Sequence, residues 1–137
     1  MTMRGPVPIL MYHSVDSDCT PAYRRWVVSP ARFEEQMAAL KAAGKAPITV
    51  SELARQMQAG SVAANAVAIT FDDGLADFRR GALPVLERFG FASTLFVATG
   101  YVGATSRWLD DLGEGDRPML GWDEIGELSK RNVEIGA

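Results

Sequence analysis

The chain has 137 residues, of which 47% are hydrophobic and 23% charged, with a formal net charge of -3 from 14 basic and 17 acidic side chains. That is the length of one domain and the composition of a folded globular protein, which argues against disorder, and the spread of charge offers no basic stripe to nucleic acid. A single cysteine, Cys19, excludes an internal disulfide and any Cys-x-x-Cys metal or redox motif.

From Met1 to Leu10 there is one arginine and an apolar stretch broken by Pro6 and Pro8, too short and interrupted for a signal-peptide core or a membrane span. The chain as given is therefore expected to be cytoplasmic and not membrane-bound, or extracellular or periplasmic if a leader has been removed. Residues 9–12, Ile-Leu-Met-Tyr, read as a first buried strand with His13, Ser14 and Asp16 at its end. Residues 16–28 lack a period and read as a loop. Ser29 is an N-cap candidate with Pro30 at the first helical position, and Phe33, Met37 and Leu40 recur at helical spacing, so residues 30–43 form an amphipathic helix that Gly44 stops.

Residues 47–50 read as a strand, and Ser51 as the cap of a second helix through Leu53 and Met57 to Gly60. Met37 and Met57 fall at inward spacing and are expected in the core. Val67 to Phe71 is an apolar run ending in Asp72-Asp73-Gly74, the pattern of a buried strand with two carboxylates at its C-terminal end. A helix over about 77–89, kinked or restarted at Pro84, leads to a strand over 92–98 and a Gly- and Asp-rich loop lasting to Leu120. Residues 122–131 read as a helix stopped by Asn132, and 133–137 as the start of another strand. Strands alternating with helices imply an α/β fold with parallel strands joined by helical crossovers.

Adjacent acids repel each other and cost desolvation, so a strand end that holds two of them points to a metal, a proton transfer or a capping role. A phosphate-transferring hydrolase would need an acid at position 71, which is Phe. A phosphoacceptor receiver domain would need a further acid and a lysine at later strand ends, where the chain has Ala98-Thr99-Gly100 and only Lys130 beyond, inside a helix. Metal-assisted hydrolysis, with one carboxylate as base and the other as ligand, needs histidines that the chain does not supply.

Ile69-Thr70-Phe71-Asp72-Asp73-Gly74 resembles the first motif of the polysaccharide deacetylases, the NodB-homology carbohydrate esterases. Pro8 to His13, the segments around Phe33–Gly44 and Ser51–Leu53, Ala82–Leu86, Phe89–Val97, Leu120–Ile125 and Val133–Gly136 resemble successive segments of that family in the same order. The resemblance implies the N-terminal part of a distorted (β/α) barrel, as one domain over residues 1–137, with its active site at the C-terminal strand ends. It implies Asp72 as general base and Asp73 as metal-binding carboxylate for zinc, acting on N-acetyl groups of an amino-sugar polymer. The family's His-x-x-x-His follows the segment matching Glu134-Ile135-Gly136, and its arginine, tryptophan and histidine motifs come later still. The chain stops at Ala137, so by itself it is expected to be inactive or nearly so and to bind zinc weakly or not at all. The rival is a non-catalytic interaction module or a subunit of a split enzyme, with exposed strand edges that favour a homodimer. His13, the sole histidine, reads first as a structural residue. Tyr101, Trp108 and Trp122 are balanced between a sugar-stacking platform and core closure.

Overall fold

Residues 5–137 are described in a computed structural model of the protein; Met1–Arg4, part of the stretch judged unsuited to a signal peptide, lie outside them. The first strand, β1 (Ile9–Tyr12), is followed by two short strands, β2 (Ser14–Val15) and β3 (Val27–Val28), which pair with each other in parallel. A single 3-10 turn, Arg24–Trp26, breaks the expected loop just before β3. Helix α1 (Pro30–Ala42) starts as its sequence requires, with the Ser29 hydroxyl accepting the Arg32 N–H at 3.2 Å and Phe33 and Met37 fully buried.

After β4 (Ala46–Ile48), helix α2 (Val50–Gln58) is capped by Thr49 and not by Ser51: the Thr49 hydroxyl accepts the Glu52 N–H at 3.2 Å. Pairing of Ile48 with Ala68 ends β4 one residue earlier than Thr49, which places that hydroxyl, and not the one two residues on, at the first free N–H groups. Leu53 is the only buried residue of α2, and Met57, expected in the core, is 62% exposed. Its four-residue spacing from Leu53 puts it on the same side of the helix, but among the described residues no neighbour covers it.

The central strand β5 (Ala66–Phe71) is buried at every position. Chain 78–82 then forms a wide π-type turn, Phe78–Ala82, and helix α3 (Leu83–Phe89) restarts with Pro84 in its first turn, where a missing N–H leaves no carbonyl unpaired. Strand β6 (Ser93–Phe96), 3-10 turns at Thr99–Tyr101 and Arg107–Leu112, helix α4 (Trp122–Leu128) and strand β7 (Val133–Gly136) complete the order. Helix α4 is shorter than its sequence pattern, closing as turns before Asn132, which takes the left-handed conformation at φ 62°.

One five-stranded sheet runs β1-β5-β6-β7, with β4 also paired to β5, and every pairing is parallel. Strand β4 matches Ala66–Ala68 and β6 matches Thr70–Phe71, so they share the length of β5 between them. The expected α/β architecture of parallel strands and flanking helices is therefore present. Strand β1 departs from the expected buried strand: Tyr12 is buried, whereas Ile9 and Met11 are 58% and 61% exposed. It is an edge strand, and among the described residues nothing covers its second face.

The π-type turn packs directly on β2, because a Cβ at Gly81 would lie 2.0 Å from the Val15 carbonyl oxygen. Gly81→Ala should destabilise the fold by about 1–3 kcal/mol through overpacking. Gly90→Ala, at φ 65° with open space around it, should cost only about 1 kcal/mol for the left-handed backbone. Urea unfolding midpoints of the two variants should differ in that order.

Candidate functional site

Parallel pairing aligns the C-terminal ends of β1 and β5. Tyr12 is level with Phe71, and the Asp72 N–H continues the ladder by donating to the Tyr12 carbonyl at 2.8 Å. The residue after each strand therefore emerges at the same height, and His13 Nε2 stands 3.8 Å from Asp72 Oδ2. That separation is too long for a hydrogen bond. His13 also packs against Trp26, ring centroids 5.0 Å apart.

The chain then turns through two left-handed residues, Asp73 at φ 80° and Gly74 at φ 84°. Glycine suits this conformation, but an aspartate there costs about 1 kcal/mol, which its surroundings must hold in place. They do so from two sides: the Asp73 carbonyl accepts the Ala98 N–H at 3.0 Å, and the Gly74 carbonyl accepts the Leu120 N–H at 3.0 Å. A side chain at Gly74 would also press on Val97 at 3.2 Å.

The turn aims Asp73 into a pocket of about 250 Å³ lined by His13, Tyr23, Trp26, Asp73, Trp108 and Leu109. Burial raises the Asp73 pKa, with His13 lowering and Asp72 further raising it. A larger cavity of about 460 Å³, lined by Phe91, Asn132 and neighbours, lies at the opposite ends of the strands, where β6 and β7 begin, and is remote from the acids. Of the three aromatics singled out in the sequence, Trp108 lines the pocket and Tyr101 braces it edge-on at 4.7 Å, whereas Trp122 is 60% exposed at the start of α4 and takes no part. Tyr23 and Trp26 come from a segment with no pattern to read. His13, read first as structural, stands with the acids; the only signal was its place at a strand end.

Beneath the pocket, Arg117 joins the two segments that wall it. Its guanidinium lies over the Tyr23 ring at 5.1 Å, meets Glu114 at 2.8 Å and Asp77 at 3.5 Å, and donates to the Asp18 carbonyl at 2.6 Å. Asp77, 6% exposed, accepts from the Ser14 hydroxyl at 2.6 Å and the Val15 N–H at 3.2 Å. Glu114 in turn accepts the Thr20 N–H. The loop 104–120 is thereby tied to the end of β1.

Among the described residues, no three or more His, Cys, Asp or Glu side chains are placed together to hold a metal ion. Asp73 offers one carboxylate toward the pocket, and the residues present do not fit a complete metal centre. Among the same residues no helix is long and apolar enough to cross a membrane.

Comparison with known proteins bears on this strand end. The polysaccharide deacetylase family model matches residues 59–137. The Bacillus subtilis (strain 168) protein YxkH, which is named as a polysaccharide deacetylase, is 34% identical over 98 residues, covering 71% of this chain and 33% of its own. The structure of IcaB from Ammonifex degensii superposes with a TM-score of 0.79 at 26% identity, covering 99% of this chain and 54% of its own. The Streptococcus pyogenes deacetylase PplD, solved in complex with acetate, superposes with a TM-score of 0.72 at 25% identity, covering 94% and 54%. The chain thus spans one third of YxkH and about half of the two solved structures.

The raised pKa of Asp73 carries a stability consequence. An acid whose folded pKa lies above its unfolded value of 3.8 favours the fold below that value and loses this contribution as pH rises through the folded pKa. Asp73→Asn, which tolerates the same backbone, should gain thermal stability over the parent as pH rises from 3 toward 7 (on the order of the ordinary carboxylate range and above). A melting-temperature difference that stays flat across that range would contradict the assignment.

Proposed function

The chain belongs to the polysaccharide deacetylase family, and on that premise we propose that it carries the two acidic groups of a hydrolase that removes N-acetyl groups from an amino-sugar polymer. The observation that carries this reading is the end of β5. Two consecutive carboxylates leave it in different backbone conformations, one beside the only imidazole and one at the wall of a pocket.

In amide hydrolysis a water oxygen bonds to the acyl carbon, the water gives up a proton, and the carbon–nitrogen bond breaks as the amine takes a proton. Asp72, a third exposed at the strand end, is the group that accepts the proton from water. His13, 3.8 Å away, flanks that carboxylate across the strand ends. Asp73 is the carboxylate this chain offers to the divalent metal that the family implies, zinc by resemblance. Since the described residues alone do not complete a metal centre, the step that rests on this chain is proton acceptance. Residues 1–137 act in this reading as the N-terminal part of a deacetylase domain. The receiver-domain alternative draws no support from the family match.

Among the described residues strand β1 pairs along one edge only and exposes Ile9 and Met11, a surface suited to pairing with a second copy.

Three outcomes test this reading. Zinc titrated into the chain, followed by calorimetry, should bind weakly and without a stoichiometric endpoint, and the chain should release no measurable acetate from N-acetylglucosamine oligomers; a tight one-to-one zinc site would overturn the donor assignment. Residues 1–137 grafted in place of the matching half of PplD should retain deacetylase activity, and Asp72→Asn in the graft should lower kcat by about 10²–10⁴-fold with metal content unchanged. Sedimentation across a concentration series should show self-association that Met11→Lys reduces; a monomer at all concentrations would remove the edge from consideration.

A further inference from the structure

We infer that a second cavity, beside the pocket that holds Asp73, recognises an anionic substituent of the polymer, a carboxylate or a phosphate, through Arg25. This rests on the reading of Asp72 and Asp73 as groups of a glycan hydrolase. The cavity has a volume of about 240 Å³ and is lined by Met11, Tyr12, His13, Arg25, Trp26 and Val28. It shares His13 and Trp26 with the Asp73 pocket, so those two rings are the boundary between an acidic compartment and a basic one.

Charge pairing singles out this arginine. Among the described residues every arginine forms an ion pair with a carboxylate except Arg24, Arg25 and Arg107. Arg107 shares its 3-10 turn with Asp110 and Asp111, which offset it, whereas Arg24 and Arg25 follow one another on an exposed turn that contains no acid. The Arg25 guanidinium lies over the Trp26 ring at 4.6 Å, and Trp26 is packed in turn by His13 at 5.0 Å. A contact of that kind is made by the charge and not by a hydrogen bond, so the N–H fork keeps its capacity for an oxyanion, which it meets with two parallel bonds. No other lining group competes for the fork: the Tyr12 hydroxyl donates to Gln36 at 2.7 Å, Met11 and Val28 are apolar, and neither Asp72 nor Asp73 reaches this cavity. Arg25 is therefore its one permanent charge. An anion is repelled by the two carboxylates and accepted one ring away from them, so a polymer that bears both N-acetyl and acidic groups is set by charge in one orientation across the strand ends.

The test measures binding to the intact chain by the shift of the Trp26 indole N–H resonance. A hyaluronan tetrasaccharide, which alternates glucuronate with N-acetylglucosamine, is compared with the neutral N-acetylglucosamine tetramer; N-acetylglucosamine 6-phosphate is compared with N-acetylglucosamine in the same way. The acidic probe of at least one pair should bind about tenfold more tightly than its neutral counterpart, the scale of one charge-assisted contact, and whichever pair shows the preference assigns the substituent. Added salt should shrink the difference. Arg25→Gln should abolish it and Arg25→Lys should restore part of it, while Arg88→Gln on α3, which removes the same charge elsewhere, should leave it intact. No preference in either pair would overturn the inference, as would a preference that survives Arg25→Gln or falls equally with Arg88→Gln. The two readings fail separately. Acidic probes that follow Arg25, with a PplD graft that hydrolyses nothing, sink the hydrolase reading and keep the anion site. A graft that deacetylates neutral oligomers, with no acidic preference in the chain, sinks the anion site alone.

Discussion

The register of β1 on β5 is the constraint from which the rest of the site follows. Tyr12 lies opposite Phe71, their rings 5.3 Å apart, and both pack on Phe33 of α1 at 5.0 and 5.8 Å. Phe78 closes the group from the π-type turn, 4.7 Å from Phe71. Four buried aromatics from four elements meet at one point, each contact contributing about 0.5–1.5 kcal/mol beyond the apolar area it removes from water. A slip of one residue would turn this set to the opposite face of the sheet, so the register is strongly specified. With it set, His13 and Asp72 have no choice but to emerge side by side.

A second set of bonds attaches the pocket walls to that point. The antiparallel bridge Leu75–Met119 lays the long loop against the acid turn, the bridge Thr105–Pro118 closes that loop on itself, and the Ala76 N–H donates to the Pro118 carbonyl at 2.9 Å. Arg117, one residue earlier, makes the corresponding link to the β1 side. Charges this buried are expensive to desolvate, and the return is geometric: Trp26 and Trp108 come from distant parts of the chain and yet face one cavity with Asp73.

What the sequence discloses, it discloses through period and position. The apolar run ending at Phe71, the Ser29 cap and the Phe33–Met37 face are local patterns, and each is where its pattern put it. The failures need information that no local pattern carries. Thr49 and Ser51 are both plausible caps, and the choice turns on where β4 stops pairing with β5. Met57 has the spacing of a core residue, but spacing names a side of the helix and not whether anything lies over it. The strand order is the larger case. His13 could be placed beside Asp72 only by knowing that β1 neighbours β5 although β4 intervenes in the chain. Tyr23 and Trp26 sit in an aperiodic segment, and their common destination is a property of the tertiary fold alone.

Two carboxylates in succession would ordinarily compete for one environment. Here the backbone separates them within a single peptide step. Asp72 still belongs to the sheet, its N–H in the ladder to Tyr12, and its side chain shares the strand end with His13. Asp73 has already entered the left-handed turn, and its side chain enters the aromatic pocket, where burial favours the neutral form. In the proposed reaction those distinct surroundings give the neighbouring acids distinct parts, Asp72 taking the proton and Asp73 offered to the metal. The left-handed turn at Asp73 is therefore the means by which a continuous strand delivers two carboxylates into two environments. The hydrogen bonds from Ala98 and Leu120 that hold the turn belong to the site as much as the carboxylates do.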